Sequence, residues 1–561
     1  MTSASREASA PGRRSLVLLA ALTTILLLPF AGKPFHVDDT LFLKAARQIR
    51  ASPLDFYGFS VNWYGIEQPM WEVTKNPPLA SYFIAFVTSI AGESELALHL
   101  AFLVFSVAAV TGTYRLARRF CAHPLLAALT TLSTPAFLVS STNVMCDTML
   151  LAIWVWSLEL WVRGLDEGTP GALAGGALLS GVAALTKYFG VAIVPLLFAY
   201  SLARTRRIQP WASFLLLPLA ILAAYQWATL ALYGRGLAGA AAEYASVLKT
   251  HGETALGKGI IGLAFTGGSL ATVAFFVPVL WRWRTPLPWV VAAASGLLIF
   301  GAIRATGGIA LENATEPRGP LIAQLAVLAA AGVHLLWLAA SDLRENRDAP
   351  SLLLFLWVAG TILFGGSVNW TTSARNLLPI APAVGILVMR RVERGRPVRA
   401  RTFALPLTVG ACLSFLVAAA DARLAENGRT AARRIVREFG ARPGTLWFQG
   451  HWGFQFYMEA AGAKPLDRRR SRVEKGDRLA IPTNNSWVVP VPESAVTLAS
   501  QFELPPFPGI ATVQPAVGAG FYSDSWGPLP FVVGRVPPER YFIFELIRDD
   551  VSFLTGRERP G

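Results

Sequence analysis

The sequence predicts an α-helical multi-pass membrane bundle followed by a small α/β domain. Hydrophobic residues make up 53% of the 561 positions and charged residues only 15%, whereas roughly a quarter of an average soluble domain is charged. The mean hydropathy is +0.45. These values exclude a soluble globular enzyme, and the three cysteines provide neither a disulfide framework nor a cysteine-based metal site.

About thirteen membrane spans are predicted, since a spanning helix needs about 20 mostly apolar residues and fewer inside a bundle. Two longer apolar regions, 122–162 and 171–204, are interrupted by polar residues at Ser140–Asn143 and Thr186–Tyr188, and each is predicted to form a helical hairpin. The other spans are predicted at Ser15–Phe30, Leu96–Tyr114, Trp211–Leu232, Ile260–Leu280, Leu287–Ile303, Leu321–Ala340, Leu352–Phe364, Leu377–Met389 and Phe403–Ala420.

Positive residues lie mostly in short runs between the apolar stretches, which is typical of cytoplasmic loops. The net charge of +15 therefore indicates membrane topology and not a nucleic-acid partner. All the runs fall on the cytoplasmic side if the N-terminus is cytoplasmic and Pro78–Gly92 lies along the outer surface without spanning. The runs are Arg115/Arg118/Arg119, Arg204/Arg206/Arg207, Arg282/Arg284, Arg344/Arg347 and Arg390–Arg401.

This topology divides the chain into three parts. Residues 1–14 are predicted to be cytoplasmic, residues 15–420 to form the membrane domain with an external loop at 33–95, and residues 421–561 to form an extracytoplasmic domain. Helical and strand-like segments alternate in the last part, which predicts a small α/β domain. These segments are Thr430–Phe439, Thr445–Gln449, Gln455–Ala461, Arg478–Pro482 and Arg540–Ile547.

Acidic residues at the outer mouth of the bundle are the first candidate functional groups. Asp38 and Asp39 follow the first span, and Asp147 begins the second arm of the first hairpin. The loop-charge topology places all three on the same side of the membrane. Ionisable groups at such positions are costly unless they are used, which favours a functional site. The alternative for Asp38 and Asp39 is the solvated start of a loop.

Basic residues on the same outer side are the second set of candidates. An arginine or lysine beside carboxylates in a membrane mouth is suited to grip an anion such as a lipid phosphate. The alternative is that these side chains only reach from helix ends to the interface, which is common for lysine and arginine. The set comprises Lys75, Lys187, Arg304, Arg318 and Arg375.

Several short motifs occur in an order that resembles a known family. They are Asp38-Asp39 after the first span, Lys75-Asn76-Pro77-Pro78-Leu79, Ser94-Glu95 before the second span, Met145-Cys146-Asp147, Leu185-Thr186-Lys187 and Arg375-Asn376-Leu377-Leu378-Pro379. Together they resemble the dolichyl-phosphate-mannose protein mannosyltransferase-like family, whose bacterial relatives include the lipid A aminoarabinose transferases of the GT-C type. The resemblance covers about residues 15–420. The chain departs from the family where Asp39 replaces a usual Glu, Lys75 precedes the usual lysine position by one residue, and Asn376 replaces a usual Tyr.

The resemblance implies inverting transfer of a hexose or pentose from a polyprenyl-phosphate donor to a hydroxyl acceptor on the extracytoplasmic side. It implies Asp38 as the general base, with Asp39 and Asp147 supporting it. Lys75, Lys187, Arg318 and Arg375 are the candidates for holding the donor, because a phosphate leaving group needs positive charge more than a proton. No cofactor is required by this chemistry, and a divalent metal is left open. The acceptor is a protein, lipid or glycan of the cell envelope.

Two other functions are compatible with the same residues. A secondary transporter or lipid flippase would use the carboxylates as a proton or ion site, but transporters often carry repeated halves with broken helices in matching positions, and this sequence shows no such symmetry. An assembly or sensor protein without catalytic activity would use the C-terminal domain to bind a partner. Sugar transfer, liposome uptake and partner binding distinguish the three.

Overall fold

The computed structural model describes residues 9–247, 255–280, 293–301, 318–394 and 401–549. Helices dominate this part of the chain up to residue 439, and residues 293–301 are also helical. The α-helices are Ser9–Leu27, Asp39–Ala51, Met70–Val73, Leu79–Ala91, Glu95–Phe120, Pro124–Leu132, Pro135–Ser141, Cys146–Glu167, Pro170–Thr186, Ile193–Thr205, Trp211–Phe214, Leu216–Tyr233, Leu237–Val247, Ala255–Ser269, Val277–Leu280, Arg318–Asn346, Ala349–Leu363, Ala374–Leu377, Ala381–Glu393, Arg401–Phe439 and Trp452–Ala460. Short 3₁₀ or π turns occupy Leu28–Phe30, Tyr188–Ala192, Ala271–Phe276, Phe364–Val368, Leu378–Ile380, Glu493–Ala495, Pro515–Val517 and Asp524–Trp526.

The chain is a multi-pass membrane protein. Among the described residues, eight helices are long and apolar enough to cross a membrane, or up to ten if each of two bent helix pairs is one span. The predicted fold class, a helical membrane bundle with a small α/β domain, is confirmed. The count of about thirteen spans stays a prediction, because several predicted spans are short helices and Leu287–Ile303 lies partly outside the described residues.

Both predicted hairpin interruptions are present. The first arm of the first hairpin is itself bent by 63° between Pro124–Leu132 and Pro135–Ser141, because Pro135 starts a new helix whose first turn is capped by the Thr134 hydroxyl. Helix Pro170–Thr186 ends where the Lys187 backbone becomes extended, with φ −152° and ψ 134°. The helix Leu79–Ala91 has 13 residues and is therefore about 20 Å long, which is shorter than a span.

The basic runs around Arg119, Arg204 and Arg390 meet at one end of the bundle, as the loop-charge pattern predicts, whereas Arg282 and Arg284 lie outside the described residues. Arg119 pairs with Glu167 at 2.9 Å, and both Arg119 and Arg204 pair with Asp166. Arg390 pairs with Asp342 at 3.0 Å and donates to the carbonyl of Phe120. The 22-residue helix Cys146–Glu167, about 33 Å long, separates this end from Asp147 at its first turn. The cytoplasmic assignment of the basic end stays a prediction.

The C-terminal domain is built on a mixed five-stranded sheet. The strands of the chain are β1 (Ser60–Asn62), β2 (Glu67–Pro69), β3 (Leu446–Phe448), β4 (Lys464–Pro465), β5 (Arg478–Pro482), β6 (Val496–Leu504), β7 (Ile510–Ala511), β8 (Val513–Gln514), β9 (Ala519–Gly520), β10 (Val532–Val533) and β11 (Glu539–Leu546). The sheet order is β4-β3-β5-β11-β6, with β3 parallel to β4 and β5, and β11 antiparallel to β5 and β6. The predicted helical and strand segments of this region are therefore found.

The membrane bundle and the C-terminal domain share one long helix. Arg401–Phe439 has 39 residues and passes through Asp421, so the predicted boundary at 421 lies inside a helix. Residues 510–532, which we call the return segment, leave the sheet and pack into the same hydrophobic core as the membrane helices. The Ala374 backbone N–H donates to the Phe521 carbonyl at 2.9 Å. The return segment therefore contacts the loop that carries Arg375.

Candidate active site

Four charged side chains predicted from the sequence form one network. Arg375 Nη1 lies 2.8 Å from Asp38 Oδ2 and 3.9 Å from Asp147 Oδ2. Lys187 Nζ lies 2.7 Å from Asp147 Oδ1 and donates to Asn376 Oδ1 at 2.8 Å. The order of the network is Lys187–Asp147–Arg375–Asp38, and its two cations balance its two carboxylates.

Each member of the network lies at a helix end or a helix break. Asp38 precedes helix Asp39–Ala51, and Asp147 lies in the first turn of its helix, where the positive end of the helix dipole stabilises a carboxylate. Lys187 occupies the extended break after Thr186. Arg375 lies in the four-residue helix Ala374–Leu377. These positions bring groups that are far apart in sequence to one end of the bundle.

Asp39 has a different environment from Asp38. Its side chain is fully buried and accepts hydrogen bonds from the backbone N–H of His36 at 2.8 Å and of Val144 at 2.9 Å. Burial raises the pKa of Asp39 to about 7. Asp39 thereby joins the start of the external loop to the turn that precedes Asp147. It does not line the cavities described below, and its predicted catalytic role stays a prediction.

The other predicted cations are Lys75, Arg318 and Arg304. Lys75 donates to the carbonyl of Glu72, and its ammonium lies 4.6 Å from the centre of the Tyr244 ring. Burial lowers the pKa of Lys75. Arg318 begins helix Arg318–Asn346, and Arg304 lies outside the described residues. The roles predicted for Lys75 and Arg318 remain predictions.

Two cavities meet at Asp38 and Arg375. The first has a volume of about 740 Å³ and extends from the charged network between largely apolar walls, including Leu196, Leu222 and Trp357. The second, of about 440 Å³, lies between the external loop and the C-terminal domain. The residues that line both are Asp38, Lys75, Asn76, Tyr244, Trp370, Arg375 and Tyr522.

Tyr522, on the return segment, is a site residue that the sequence did not indicate. The Arg375 guanidinium carbon lies 5.1 Å from the centre of its ring, which is a cation–π contact. Its hydroxyl donates to Asp421 Oδ2 at 2.7 Å and accepts from Asn143 Nδ2 at 2.9 Å. Asp421 also pairs with Lys33 at 2.6 Å, and both side chains of this pair are fully buried. The return segment therefore contacts Arg375 through the Tyr522 ring, and the Tyr522 hydroxyl is itself held by Asp421 and Asn143.

Arg375 retains donor capacity. Its Nε is buried and has no hydrogen-bond partner among the described residues, and a buried unsatisfied donor is unfavourable. The guanidinium lines both cavities at their junction. The side chain is 15% exposed, so the guanidinium offers positive charge and unused hydrogen-bonding capacity to an anion in either cavity.

Comparison with known proteins supports the resemblance seen in the motifs. Residues 75–230 match the family model described as dolichyl-phosphate-mannose-protein mannosyltransferase. The predicted family resemblance is confirmed. That segment includes Lys75, Asp147 and Lys187. No match to this chain is found among curated protein sequences.

Solved structures with a similar arrangement include two of ArnT from Cupriavidus metallidurans. The ArnT structure bound to undecaprenyl phosphate has a TM-score of 0.43 and 17% identity and covers 83% of this chain and 93% of ArnT. The apo ArnT structure has a TM-score of 0.41 and 16% identity, over 83% of this chain and 92% of ArnT. The arabinofuranosyltransferase AftD from Mycobacteria has a TM-score of 0.38 and 14% identity, over 96% of this chain and 42% of AftD.

Metal binding was left open by the sequence. Within the described ranges, no group of three or more His, Cys, Asp or Glu side chains is arranged to hold a metal ion. Asp38 and Asp147 are instead paired with Arg375 and Lys187. The expectation that no cofactor is required stays a prediction.

Proposed function

We propose that the protein is an inverting glycosyltransferase that moves a sugar from a polyprenyl-phosphate donor to a hydroxyl acceptor at the extracytoplasmic face of the membrane. The observation that carries this proposal is the position of Arg375 at the junction of two cavities, where its guanidinium is partly exposed and its Nε has no hydrogen-bond partner among the described residues. A guanidinium with free donor capacity is well suited to a phosphate oxygen. The family match over residues 75–230 agrees with this chemistry.

The first cavity suits the donor. Its volume of about 740 Å³ lies within the range typical of ligand sites. Its charged end suits a phosphate and its apolar walls suit a prenyl chain, which loses unfavourable contact with water when it is buried. Lys75, Arg375 and Asp38 all line this cavity, and Arg375 lies 2.8 Å from Asp38, so the sugar attached to the phosphate would be next to this carboxylate.

Asp38 is the proposed general base. The acceptor oxygen attacks the anomeric carbon opposite the phosphate, a glycosidic C–O bond forms, and the bond from the anomeric carbon to the phosphate oxygen breaks. The acceptor proton passes to Asp38, and the polyprenyl phosphate leaves with its negative charge next to Arg375. Donor phosphate that draws Arg375 towards itself would free Asp38 Oδ2, which accepts from Arg375 Nη1 at 2.8 Å, to take this proton.

Asp147 and Lys187 hold Arg375 in place in this proposal. Asp147 lies 3.9 Å from Arg375 and is itself fixed by Lys187 at 2.7 Å. When a phosphate engages Arg375, the Asp147–Lys187 pair remains, and the guanidinium keeps one anchored carboxylate beside it. We expect both residues to affect donor binding more than proton transfer.

Replacement of Asp38 by Asn tests the proposal. Asn keeps the shape but removes the basicity, so transfer by the purified protein should fall by a factor of about 100 or more, while binding of undecaprenyl phosphate remains. Glu67→Gln is the control, because Glu67 lies in the same external loop but lines neither cavity and pairs with the exposed Arg470. Near wild-type turnover in Asp38→Asn would remove Asp38 from the mechanism. Lipid or ion uptake into liposomes without any sugar transfer would favour the transporter alternative.

A further inference from the structure

The second cavity has a lining that differs from that of the first. Every described residue that lines only the second cavity is uncharged, and the charged ones, Asp38, Lys75 and Arg375, are all shared with the first cavity. An acceptor bearing phosphates or carboxylates would need positive groups beyond the donor site. The lining therefore favours a neutral acceptor.

Aromatic side chains dominate this wall. Trp452 and Trp526 pack edge to face with ring centres 4.7 Å apart, and Tyr64 and Trp487 do so at 5.3 Å. Trp487 remains 52% exposed. Aromatic faces beside polar side chains suit a ligand with an apolar face and a rim of hydroxyl groups, such as a sugar ring. Ser486 and Asn485 supply hydroxyl and amide groups on the same wall.

Backbone strain is concentrated around the same cavity. In the part of the chain that the structure describes, five non-glycine residues have a clearly positive φ, and three of them, Val37, Trp452 and Trp487, line this cavity. A left-handed backbone is unfavourable for bulky residues and tends to persist where a function needs it. The Asn485 side chain bonds both to His451 N–H and to Ser486 N–H. It therefore holds together the two loops that present Trp452 and Trp487.

From these observations we infer that the second cavity binds the acceptor and that the acceptor is a neutral saccharide. This inference rests on the proposed function, because it places the acceptor hydroxyl beside Asp38 at the junction with the donor cavity. The sugar ring packs on Trp487 and Trp526, and its hydroxyl groups reach the polar side chains of the wall. A protein or a phosphorylated lipid acceptor is the competing outcome of the test.

Saturation-transfer NMR on the purified full-length protein, with no donor added, tests whether the protein binds a saccharide. The probes are trisaccharides of mannose, glucose and arabinose, a Ser/Thr-rich peptide, and a phosphorylated glycolipid of the lipid A type. We expect at least one trisaccharide to bind, with affinity reduced tenfold or more in Trp487→Ala and Trp526→Ala. Trp487→Phe should retain affinity within about threefold because it keeps an aromatic face. Trp227→Ala is the control, because Trp227 is 73% exposed and lines neither cavity.

The possible results distinguish failure of this inference from failure of the proposed function. Failure of every trisaccharide to bind, or equal binding by Trp487→Ala and the wild type, overturns the inference, as does binding of only the peptide or the glycolipid through Trp487. Undecaprenyl phosphate affinity is measured in parallel and should be the same in all tryptophan variants. Saccharide binding without donor binding or transfer would refute the proposed function and leave the saccharide site standing. Thermal unfolding of each variant identifies those that fail to fold.

Discussion

Replacing Arg375 is the most direct test of how the site holds a donor. The guanidinium uses Nη1 to reach Asp38 at 2.8 Å, lies over the Tyr522 ring, and keeps a buried Nε without a partner among the described residues. If Nε and its neighbouring nitrogen bind the donor phosphate, Arg375→Ala removes a charge-assisted hydrogen bond. Such a bond contributes roughly 1.5 to 3 kcal/mol. At about 1.4 kcal/mol per factor of ten, the Kd for polyprenyl phosphate should rise roughly 10- to 150-fold.

The Arg375→Lys variant distinguishes the contribution of the positive charge from that of the planar guanidinium geometry. Lysine restores the positive charge, but its single ammonium cannot reproduce the planar fork that reaches a phosphate and Asp38 together. We therefore expect Arg375→Lys to recover only part of the lost affinity.

The assay is binding of undecaprenyl phosphate to purified protein in nanodiscs, followed by native mass spectrometry or thermophoresis. Arg540→Ala is the matched control, because Arg540 pairs with Glu503 on the exposed face of the C-terminal sheet. Thermal unfolding identifies a variant that has lost its structure, and Arg375→Gln provides a second uncharged replacement. Donor affinity within twofold of wild type in the folded Ala and Gln variants would refute the reasoning and leave Arg375 as an ordinary helix-end cation.

Three further predictions concern the support of the site, its buried acid and its membrane side. Tyr522→Phe keeps the ring under Arg375 but loses the hydroxyl contacts to Asp421 and Asn143, so it should weaken donor affinity less than Tyr522→Ala. The Ala variant also loses a cation–π contact of about 0.5 to 2 kcal/mol and should weaken affinity roughly 2- to 30-fold; equal effects of the two variants would contradict this. Burial raises the pKa of Asp39 from 3.8 to about 7, so ionisation disfavours the folded state between these values. The unfolding temperature of the wild type should therefore fall relative to that of Asp39→Asn as pH rises from about 4 to about 7, and a pH-independent difference would exclude this titration. A reporter fused after Arg396, which lies outside the described residues, should read cytoplasmic and one fused after Gly440 extracytoplasmic; two reporters on one side would contradict the topology.

Three members of the charged network could be singled out from the sequence because each marks a local break in an apolar pattern. Asp147 begins a helical arm, Lys187 interrupts an apolar region and Arg375 precedes a span-like segment. Loop charge then assigns these breaks to one end of the bundle. The pairing of Asp147 with Lys187, and of Asp38 with Arg375, depends on tertiary contacts that loop charge and apolar pattern do not predict.

The different environments of Asp38 and Asp39 follow from the helix that starts between them. Successive residues in a helix point about 100° apart, so two adjacent carboxylates face different directions. Asp38 lies just before the helix and faces Arg375, while Asp39 points into the bundle towards Val144. The resemblance gave Asp39 a role in support of Asp38, and that role stays a prediction.

Tyr522 escaped prediction because its contacts depend on the path of the return segment across the bundle. The same segment meets the buried Lys33–Asp421 pair, in which Asp421 belongs to the long shared helix and Lys33 to the start of the external loop. Buried ion pairs contribute little net stability but penalise arrangements that leave one charge alone. Lys33, Asp421 and Tyr522 therefore fix three separate parts of the chain in one relative position. Because Arg375 lies on the Tyr522 ring, that position would also set where a donor phosphate binds in the proposed function, and the C-terminal domain would in this respect be part of the active site.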